Sequence, residues 1–163
     1  MSCAYVVPVV ASLRRVPDPI LSTTCVPIVA IDDGVRLLVD EMNSIVCSMH
    51  GAGIAAPQVG SSLRVIIVSY RKNIVMINPI IVGRSRARSV RSEGCLSLPG
   101  RLYDVERCEA CTVKYVRLDG TPTTVVYDGV AARIVQHEVD HLDGLTIDVV
   151  GKFFGGCDET VAG

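Results

Sequence analysis

The chain has 163 residues, a length that fits one domain with one substantial hydrophobic core. Its net charge of −1 excludes the strongly basic profile of a nucleic-acid-binding protein. Hydrophobic residues make up 49% of the chain, but no apolar run approaches the roughly 18 residues of a membrane span. A soluble enzyme agrees with this composition.

The seven cysteines favour a reducing compartment over a disulfide framework. Their number is odd, and no secretory signal is evident, because Pro8 and the Arg14-Arg15 pair interrupt the N-terminal apolar stretch. Cys108 and Cys111 form a C-x-x-C pair that could indicate zinc or redox chemistry. No second pair accompanies it, so ordinary packing is the favoured interpretation.

The first predicted element is an amphipathic helix over residues 35–49. Its apolar side chains recur at intervals that place them on one side of a helix. These side chains are Val35, Leu38, Val39, Met42, Ile45, Val46 and Met49.

The helix is followed by GAGIAAPQVG (51–60), a stretch that is nearly bare of side chains. Glycine and alanine allow a ligand or another strand to approach the backbone closely. Gln58 is the one polar side chain here, and an amide donor can stabilise a developing oxyanion in acyl transfer. Taken alone, the stretch is more simply a tight helix-to-strand connection with Gln58 in solvent.

Two β-hairpins and a late helix predict an α+β fold. The predicted strands are 64–69, 74–78, 112–118 and 123–127. Their turns are expected about Arg71-Lys72 and at Asp119-Gly120. The chain after about residue 152 is expected to be loosely ordered, because Gly155-Gly156 and a short acidic end follow.

Cys95 lies between the hairpins, in EGCLSLPG (93–100). Gly94 permits an unusual backbone path, and Pro99-Gly100 marks a turn. A cysteine at such a strand end could face a helix and bind a metal as a thiolate.

The late helix contains QHEVDHLDG (136–144), in which His137, Glu138 and His141 form an H-E-x-x-H pattern. Asp128 is a plausible N-cap, and Gly144 is placed to end the helix. Residues four apart lie on one helical face, so both imidazoles can reach one metal ion while Glu138 stays free for proton transfer. The pattern also arises by chance, and the histidines could be packed and hydrogen-bonded in a core.

A catalytic site of this kind takes three protein ligands and leaves one position for water. The ligand-type residues after His141 do not stand in a convincing context. They are Asp143, Asp148, Cys157, Asp158 and Glu159. Cys95 is therefore the better candidate for the third ligand.

In this order, GAGIAAPQVG, EGCLSLPG and QHEVDHLDG resemble the three motifs of the peptide deformylase family. VPDPIL (16–21) also resembles the family's N-terminal segment, and Asn78-Pro79 resembles its central strand turn. The resemblance runs from about Val16 to about Asp148. It implies antiparallel sheets packed around a central helix that carries HEVDH, and a single catalytic domain over residues 1–163.

The resemblance also implies a metal centre. Cys95, His137 and His141 would bind one divalent ion, expected to be Fe²⁺ in cells, with Zn²⁺ or Ni²⁺ as substitutes. Glu138 would act as general base and acid. The reaction would remove the N-formyl group from the N-terminal formylmethionine of newly made proteins and release formate.

Further positions are implied to bind the substrate. Gln58 and the backbone N–H of Leu96 would stabilise the formyl oxygen as it becomes an oxyanion. Gly53 would hydrogen-bond the substrate backbone, and Gly51 and Ala52 would line the same cleft. Ala52 departs from the family pattern, which usually has a branched residue there, and this departure puts side-chain preference in doubt.

Two other functions are open to test. A metallopeptidase that cuts ordinary peptide bonds is disfavoured by the missing downstream ligand and by Cys95. A non-catalytic protein with a structural metal would need four protein ligands and would have no use for a spare Glu138.

The expected partners are N-formylmethionyl nascent peptides, with no DNA and no membrane, and the chain is expected to be a monomer in a bacterial-type cytoplasm or in an organelle. Four arginines are interpreted as the solvated side of a strand, with a transient ribosome contact as the weaker alternative. They are Arg84, Arg86, Arg88 and Arg91.

Overall fold

Two antiparallel sheets and one central helix organise the chain. The computed structural model describes residues 13–156. The helices are α1 (Asp33–Ser48), α2 (Gly129–Leu142) and the short α3 (Ile147–Val150), with 3-10 turns at Pro19–Ser22 and Ala56–Val59. The strands are β1 (Gly53–Ala55), β2 (Val65–Tyr70), β3 (Lys72–Arg84), β4 (Arg88–Cys95), β5 (Leu98–Cys108), β6 (Ala110–Val116), β7 (Pro122–Asp128) and β8 (Lys152–Gly156).

The five-stranded sheet has the order β1-β2-β3-β6-β7, and the three-stranded sheet has the order β4-β5-β8. Neighbouring strands in both sheets are antiparallel. Helix α2 packs on the five-stranded sheet through a shared core and also contacts β5 of the other sheet. The predicted α+β fold with antiparallel sheets is therefore confirmed.

Helix α1 confirms the predicted amphipathic helix and begins two residues earlier than expected. The Asp32 carboxylate accepts a hydrogen bond from the Val35 N–H at 2.9 Å, which caps the helix start. Val35, Val39, Met42 and Val46 are its buried residues. They pack with β2 in a core on the face of the sheet away from α2.

Both predicted hairpins are present. The first turns at Arg71, which has a φ of 64°, and the second turns at Gly120, with a φ of 86°. The second strand of the first hairpin was expected to end at Asn78, but β3 continues to Arg84. The pairing with β6 shifts register between Ile77 and Ile80, and this bulge lets the strand pass Asn78 and pair again.

The segment that carries Cys95 contains a bulge and a tight turn. The β4–β5 register shifts between Glu93 and Cys95, at Gly94. The turn lies one residue beyond Cys95, because Cys95 already pairs with Leu98. Pro99 and Gly100, the expected turn, instead lie inside β5. This arrangement leaves Cys95 at the last position of an edge strand.

Helix α2 begins directly after Asp128, as predicted, but the Asp128 side chain makes no capping hydrogen bond. The helix ends at Leu142, and Gly144 follows in the left-handed region with a φ of 77°. A Cβ at position 144 would lie 2.8 Å from the Ser22 carbonyl oxygen, so a side chain there would also clash.

The end of the chain differs from the expected loose tail as far as it is described. Residues 152–156 form β8, which pairs with β5 through register partners such as Tyr103 and Phe153. The two rings meet edge to face with centroids 5.5 Å apart. The rest of the expected tail, with Cys157 and the acidic end, lies outside the described residues.

None of the helices in residues 13–156 is long and apolar enough to cross a membrane. The arginines between the hairpins are exposed, and two of them pair with carboxylates. Arg88 lies 3.0 Å from Glu106, and Arg91 lies 4.0 Å from Glu109. Cys108 and Cys111 are buried as free thiols, which agrees with ordinary packing.

Candidate active site

Helix α2 and the end of β4 bring the three expected metal ligands together. His137 and His141 lie one helical turn apart, with ring centroids separated by 5.1 Å. The Cys95 Sγ atom lies 3.2 Å from His141 Nε2. One ligand atom from each of the three residues falls within 4.8 Å of the others.

The chemistry of these donors fits a divalent metal. A soft thiolate with two imidazoles suits ions such as Fe²⁺ and Zn²⁺. His141 Nδ1 is buried without a hydrogen-bond partner among the described residues, and Nε2 is the ring nitrogen that faces Cys95. Burial, helped by the positive charges of His137 and Arg107, lowers the pKa of His141 to about 3. The ring is therefore neutral, as a metal ligand must be.

His137 is oriented by a neighbouring carboxylate. Its Nδ1 lies 2.9 Å from Glu93 Oε2, which leaves Nε2 for the ligand cluster. Burial acts to lower the pKa of His137, but hydrogen bonds to Cys95 and Glu93 and the negative charge of Glu138 outweigh it and raise the pKa to about 10. A metal that binds Nε2 must therefore displace a proton.

Glu138 is a buried carboxyl group beside this cluster. Its side chain is 4% exposed, and Oε2 has no hydrogen-bond partner in the described part of the chain. Burial raises the pKa of Glu138 to about 7. The positive charges of His137 and Arg107 act to lower this pKa, and the negative charges of Glu93 and Asp140 act to raise it. A carboxyl group with a pKa near neutrality can both accept and return a proton.

Gly53 is required by the close approach of Glu138. A Cβ at position 53 would lie 2.5 Å from Glu138 Oε1 and 2.8 Å from Ile134 Cγ2. At position 51, a Cβ would lie 3.0 Å from Leu96 Cδ1. Glycine at positions 51 and 53 therefore allows the backbone to lie close to α2 and to the turn after Cys95.

Gln58 is not in solvent, contrary to the simpler interpretation of its segment. It lies in the 3-10 turn after β1 and is 2% exposed. Its Oε1 accepts a hydrogen bond from the Ala55 N–H at 2.9 Å, and its Nε2 lies 3.6 Å from Cys95 Sγ. The turn folds against the Cys95 segment, which no local pattern in residues 51–60 could indicate.

The expected substrate-binding positions share one pocket of about 640 Å³. It opens beside Cys95, His137 and Glu138. Gly51, Ala52, Gly53, Gln58 and Leu96 also line it. Met49, Leu98, Leu102, Val130 and Ile134 supply aliphatic walls. An apolar pocket with a few convergent polar groups is the usual form of a small-ligand site.

A buried charge network behind the three expected metal ligands was missed by the sequence analysis. Arg107 donates two hydrogen bonds to Glu93, at 2.7 and 2.9 Å, and a third to Asp140 at 2.7 Å. Arg133 donates to Glu93 Oε1 at 2.7 Å. The sequence contains only a weak indication of this network. Glu93 and Asp140 lie inside the quoted motifs, whereas Arg107 and Arg133 lie outside them.

Glu93 is therefore the centre of the network that holds His137. Burial acts to raise the pKa of Glu93, but hydrogen bonds from His137 and Arg107 and their charges outweigh it and lower the pKa to about 2. The carboxylate stays ionised and compensates the buried Arg107 and partly buried Arg133 guanidinium groups.

Glu93→Gln is expected to lower the free energy of unfolding at pH 7 by about 3–5 kcal/mol, because it removes the carboxylate charge that Arg107 and Arg133 share. The folded-state pKa lies below the ordinary value of 4.5, so this stability is present above pH 4.5 and is lost as the pH falls towards 2. Denaturant unfolding from pH 7 to pH 2 should show the two proteins converging. A constant difference would contradict the assignment.

Known proteins resemble the chain over most of its length. The family model described as polypeptide deformylase matches residues 10–152. The peptide deformylase of Dictyoglomus thermophilum is 45% identical over 139 residues, which are 85% of this chain and 90% of that protein.

Two solved structures share the fold. A peptide deformylase from Synechococcus elongatus in complex with actinonin is 37% identical, with a TM-score of 0.83 over 86% of this chain and 78% of that one. A Met-Ala-Ser-bound class I type b peptide deformylase from Acinetobacter baumannii is 38% identical, with a TM-score of 0.81 over 87% and 99%.

These similarities cover the segments that carry the ligand cluster, Glu138 and Gln58, and they favour a deformylase over a general metallopeptidase or a non-catalytic metal protein. The chain belongs to the peptide deformylase family, whose members are hydrolases that remove the N-formyl group from formylmethionyl peptides.

Proposed function

We propose that this chain deformylates nascent peptides with Cys95, His137 and His141 as metal ligands and Glu138 as the proton-transfer group. The observation that carries the proposal is the position of Glu138. It is a buried carboxyl group whose Oε2 has no hydrogen-bond partner among residues 13–156, and it lines an apolar pocket beside a three-ligand cluster. A closed structural site would have no use for such an acid.

The residues account for each step of hydrolysis. A divalent metal held by the three ligands would supply Lewis acidity, which lowers the pKa of water towards about 7. Glu138 accepts a proton from the attacking water while the water oxygen bonds to the formyl carbon. Glu138 then returns that proton to the amine nitrogen, the C–N bond breaks, and formate and a free N-terminus are released.

Charge that develops on the formyl oxygen needs donors that are already in place. Gln58 Nε2 and the backbone N–H of Leu96 are the proposed donors, and both residues line the pocket. Gly53 is proposed to hydrogen-bond the substrate backbone, and Gly51 and Ala52 are proposed to bind the peptide beside it. Removal of one oxyanion donor typically costs about 3–4 kcal/mol in the transition state.

The pocket supports a formylated peptide with an apolar first side chain. Its aliphatic walls suit a methionine side chain, and the bound Met-Ala-Ser of the Acinetobacter baumannii relative supports a peptide as ligand. The chain should release formate from formyl-Met-Ala and should leave acetyl-Met-Ala intact. Internal cleavage of longer unformylated peptides, or inertness of the metal-loaded protein, would contradict the proposal.

We propose Fe²⁺ as the metal in cells, with Zn²⁺ or Ni²⁺ able to substitute. Cys95 as a thiolate on an open, water-accessible iron site would be sensitive to oxygen. Activity of the iron-loaded protein is expected to decay in air much faster than that of the nickel-loaded protein, and catalase should slow the decay if peroxide is the agent. Parallel activity time courses test this expectation, and equal lifetimes would exclude oxidation at the metal.

The setting of the enzyme is proposed on the same basis. The chain would act as a monomer of one catalytic domain, on nascent formylmethionyl peptides in a bacterial-type cytoplasm or in an organelle. Five free cysteines in the described range support a reducing compartment. A transient ribosome contact through exposed arginines such as Arg84 and Arg86 belongs to this proposal.

A further inference from the structure

Ser97 is a buried polar residue that the proposed mechanism has not used. It is 1% exposed and stands in the turn between β4 and β5, directly after Leu96. A buried hydroxyl group normally has a hydrogen-bond partner. Here the partner is Gln58, whose Nε2 donates to Ser97 Oγ at 3.1 Å.

The orientation of the Gln58 amide follows from its contacts. The Ala55 backbone N–H can only donate, so the atom that faces it at 2.9 Å must be the carbonyl Oε1. The NH₂ group then faces Ser97 and the Cys95 Sγ atom, which lies 3.6 Å away. One N–H is directed at Ser97 and the other at Cys95 Sγ, on the side of the pocket where the ligand cluster lies.

Backbone contacts keep the two loops at this separation. The Arg14 N–H donates to the Gln58 carbonyl at 2.7 Å, and the Val16 N–H donates to the Ser97 carbonyl at 3.1 Å. The segment that contains Arg14 and Val16 therefore binds both the turn that carries Gln58 and the turn that carries Ser97. These backbone hydrogen bonds fix the two turns next to each other, and the hydrogen bond between the Gln58 and Ser97 side chains forms between them.

We propose that Ser97 is a positioning residue that holds the Gln58 amide in the direction required for oxyanion stabilisation. The inference rests on the proposed role of Gln58. Without the Ser97 hydroxyl, the amide keeps only the Ala55 contact and the longer contact to Cys95 Sγ, so the whole amide group can turn about its Cγ–Cδ bond and the NH₂ group leaves the required direction. Fixed donors stabilise a transition state because they need no reorganisation when charge develops.

Ser97→Ala is expected to lower kcat by about 10- to 100-fold, the range in which small misplacements of catalytic groups fall. The loss should not exceed that of Gln58→Ala. KM for formyl-Met-Ala should change little, because the donor acts mainly on charge that appears in the transition state. Ser97→Thr retains a hydroxyl group and should recover much of the rate if the extra methyl group is accommodated.

A double-mutant cycle separates positioning from a general structural effect. kcat is measured for the wild type, Ser97→Ala, Gln58→Ala and the double variant, all loaded with Ni²⁺ and checked for metal content and Tm. Ser97→Ala should have almost no effect in the Gln58→Ala background. Ser92→Ala is the matched control, since Ser92 is exposed and hydrogen-bonds to Asp104 at 2.6 Å; it should behave as wild type.

Equal losses from Ser97→Ala in both backgrounds would overturn the inference, because Ser97 would then act independently of Gln58. No loss in the wild-type background would also overturn it. If Gln58→Ala itself keeps a normal kcat, the oxyanion role of Gln58 fails and the inference fails with it. If Gln58→Ala is impaired and Ser97→Ala is not, only the positioning role is lost.

Discussion

Glu138→Ala is expected to keep the bound metal and to lose about 10²- to 10⁴-fold in kcat, the usual contribution of a positioned general base. The carboxyl group lies beside the ligand cluster but is not one of the three grouped ligands. Its pKa of about 7 places it where it can take and return a proton near neutral pH. Removing it should therefore affect proton transfer far more than metal binding.

The measurement is steady-state deformylation of formyl-Met-Ala together with metal analysis of the same samples. Glu138→Gln keeps the shape of the side chain but cannot accept the proton, so it should be impaired to a similar degree. Glu106→Ala is a suitable control, because Glu106 is exposed and pairs only with Arg88 among the described residues. A near-normal kcat for Glu138→Ala would show that another group transfers the proton.

Cys95→Ala is expected to lose most of its metal and nearly all of its activity. Changes to residues that only support metal ligands commonly cost about 10- to 100-fold in affinity, so loss of a ligand should cost more. The two imidazoles would remain on α2 but without the thiolate that closes the site from β4. Chelation of the wild-type protein should abolish activity in the same way, and added Ni²⁺ should restore it.

Metal content after dialysis and the affinity for Ni²⁺ at fixed pH test this expectation. Cys47→Ala is the control, since Cys47 is an exposed free thiol and is not part of the ligand cluster. Metal content that is unaffected by Cys95→Ala would remove Cys95 from the ligand set. Loss of metal from Cys47→Ala as well would indicate that general damage, and not loss of a ligand, is responsible.

Local sequence patterns were sufficient for two helices and two hairpins of this fold. The helical spacing of apolar residues predicted α1, and α2 was expected from its H-E-x-x-H motif and from Gly144. The turn residues of both hairpins lie where they were expected. Such features depend on interactions between residues close in the chain, so a local pattern carries the information. The two histidines on one helical face belong to this class.

Other features depended on contacts between distant segments. The continuation of β3 past Asn78 depends on β6, and the strand at 152–156 depends on its pairing with β5. Neither partner is visible in the local sequence. A strand that is completed by a distant neighbour gains its hydrogen bonds only once the sheet has formed.

The candidate active site also combines features that a local sequence pattern predicts with features that depend on contacts between distant segments. Sequence identified Cys95 as a candidate ligand, but only the fold brings its Sγ within 3.2 Å of His141 Nε2. The burial of Gln58 and the network of Glu93 with Arg107 and Arg133 also appear only in the tertiary structure. Residue type and spacing determine what a side chain can do chemically, whereas its burial and partners are set by segments far away in the chain. The sequence by itself thus determined the chemistry available to this protein, and the packing of β1, β4 and β5 against α2 decided which groups could act together.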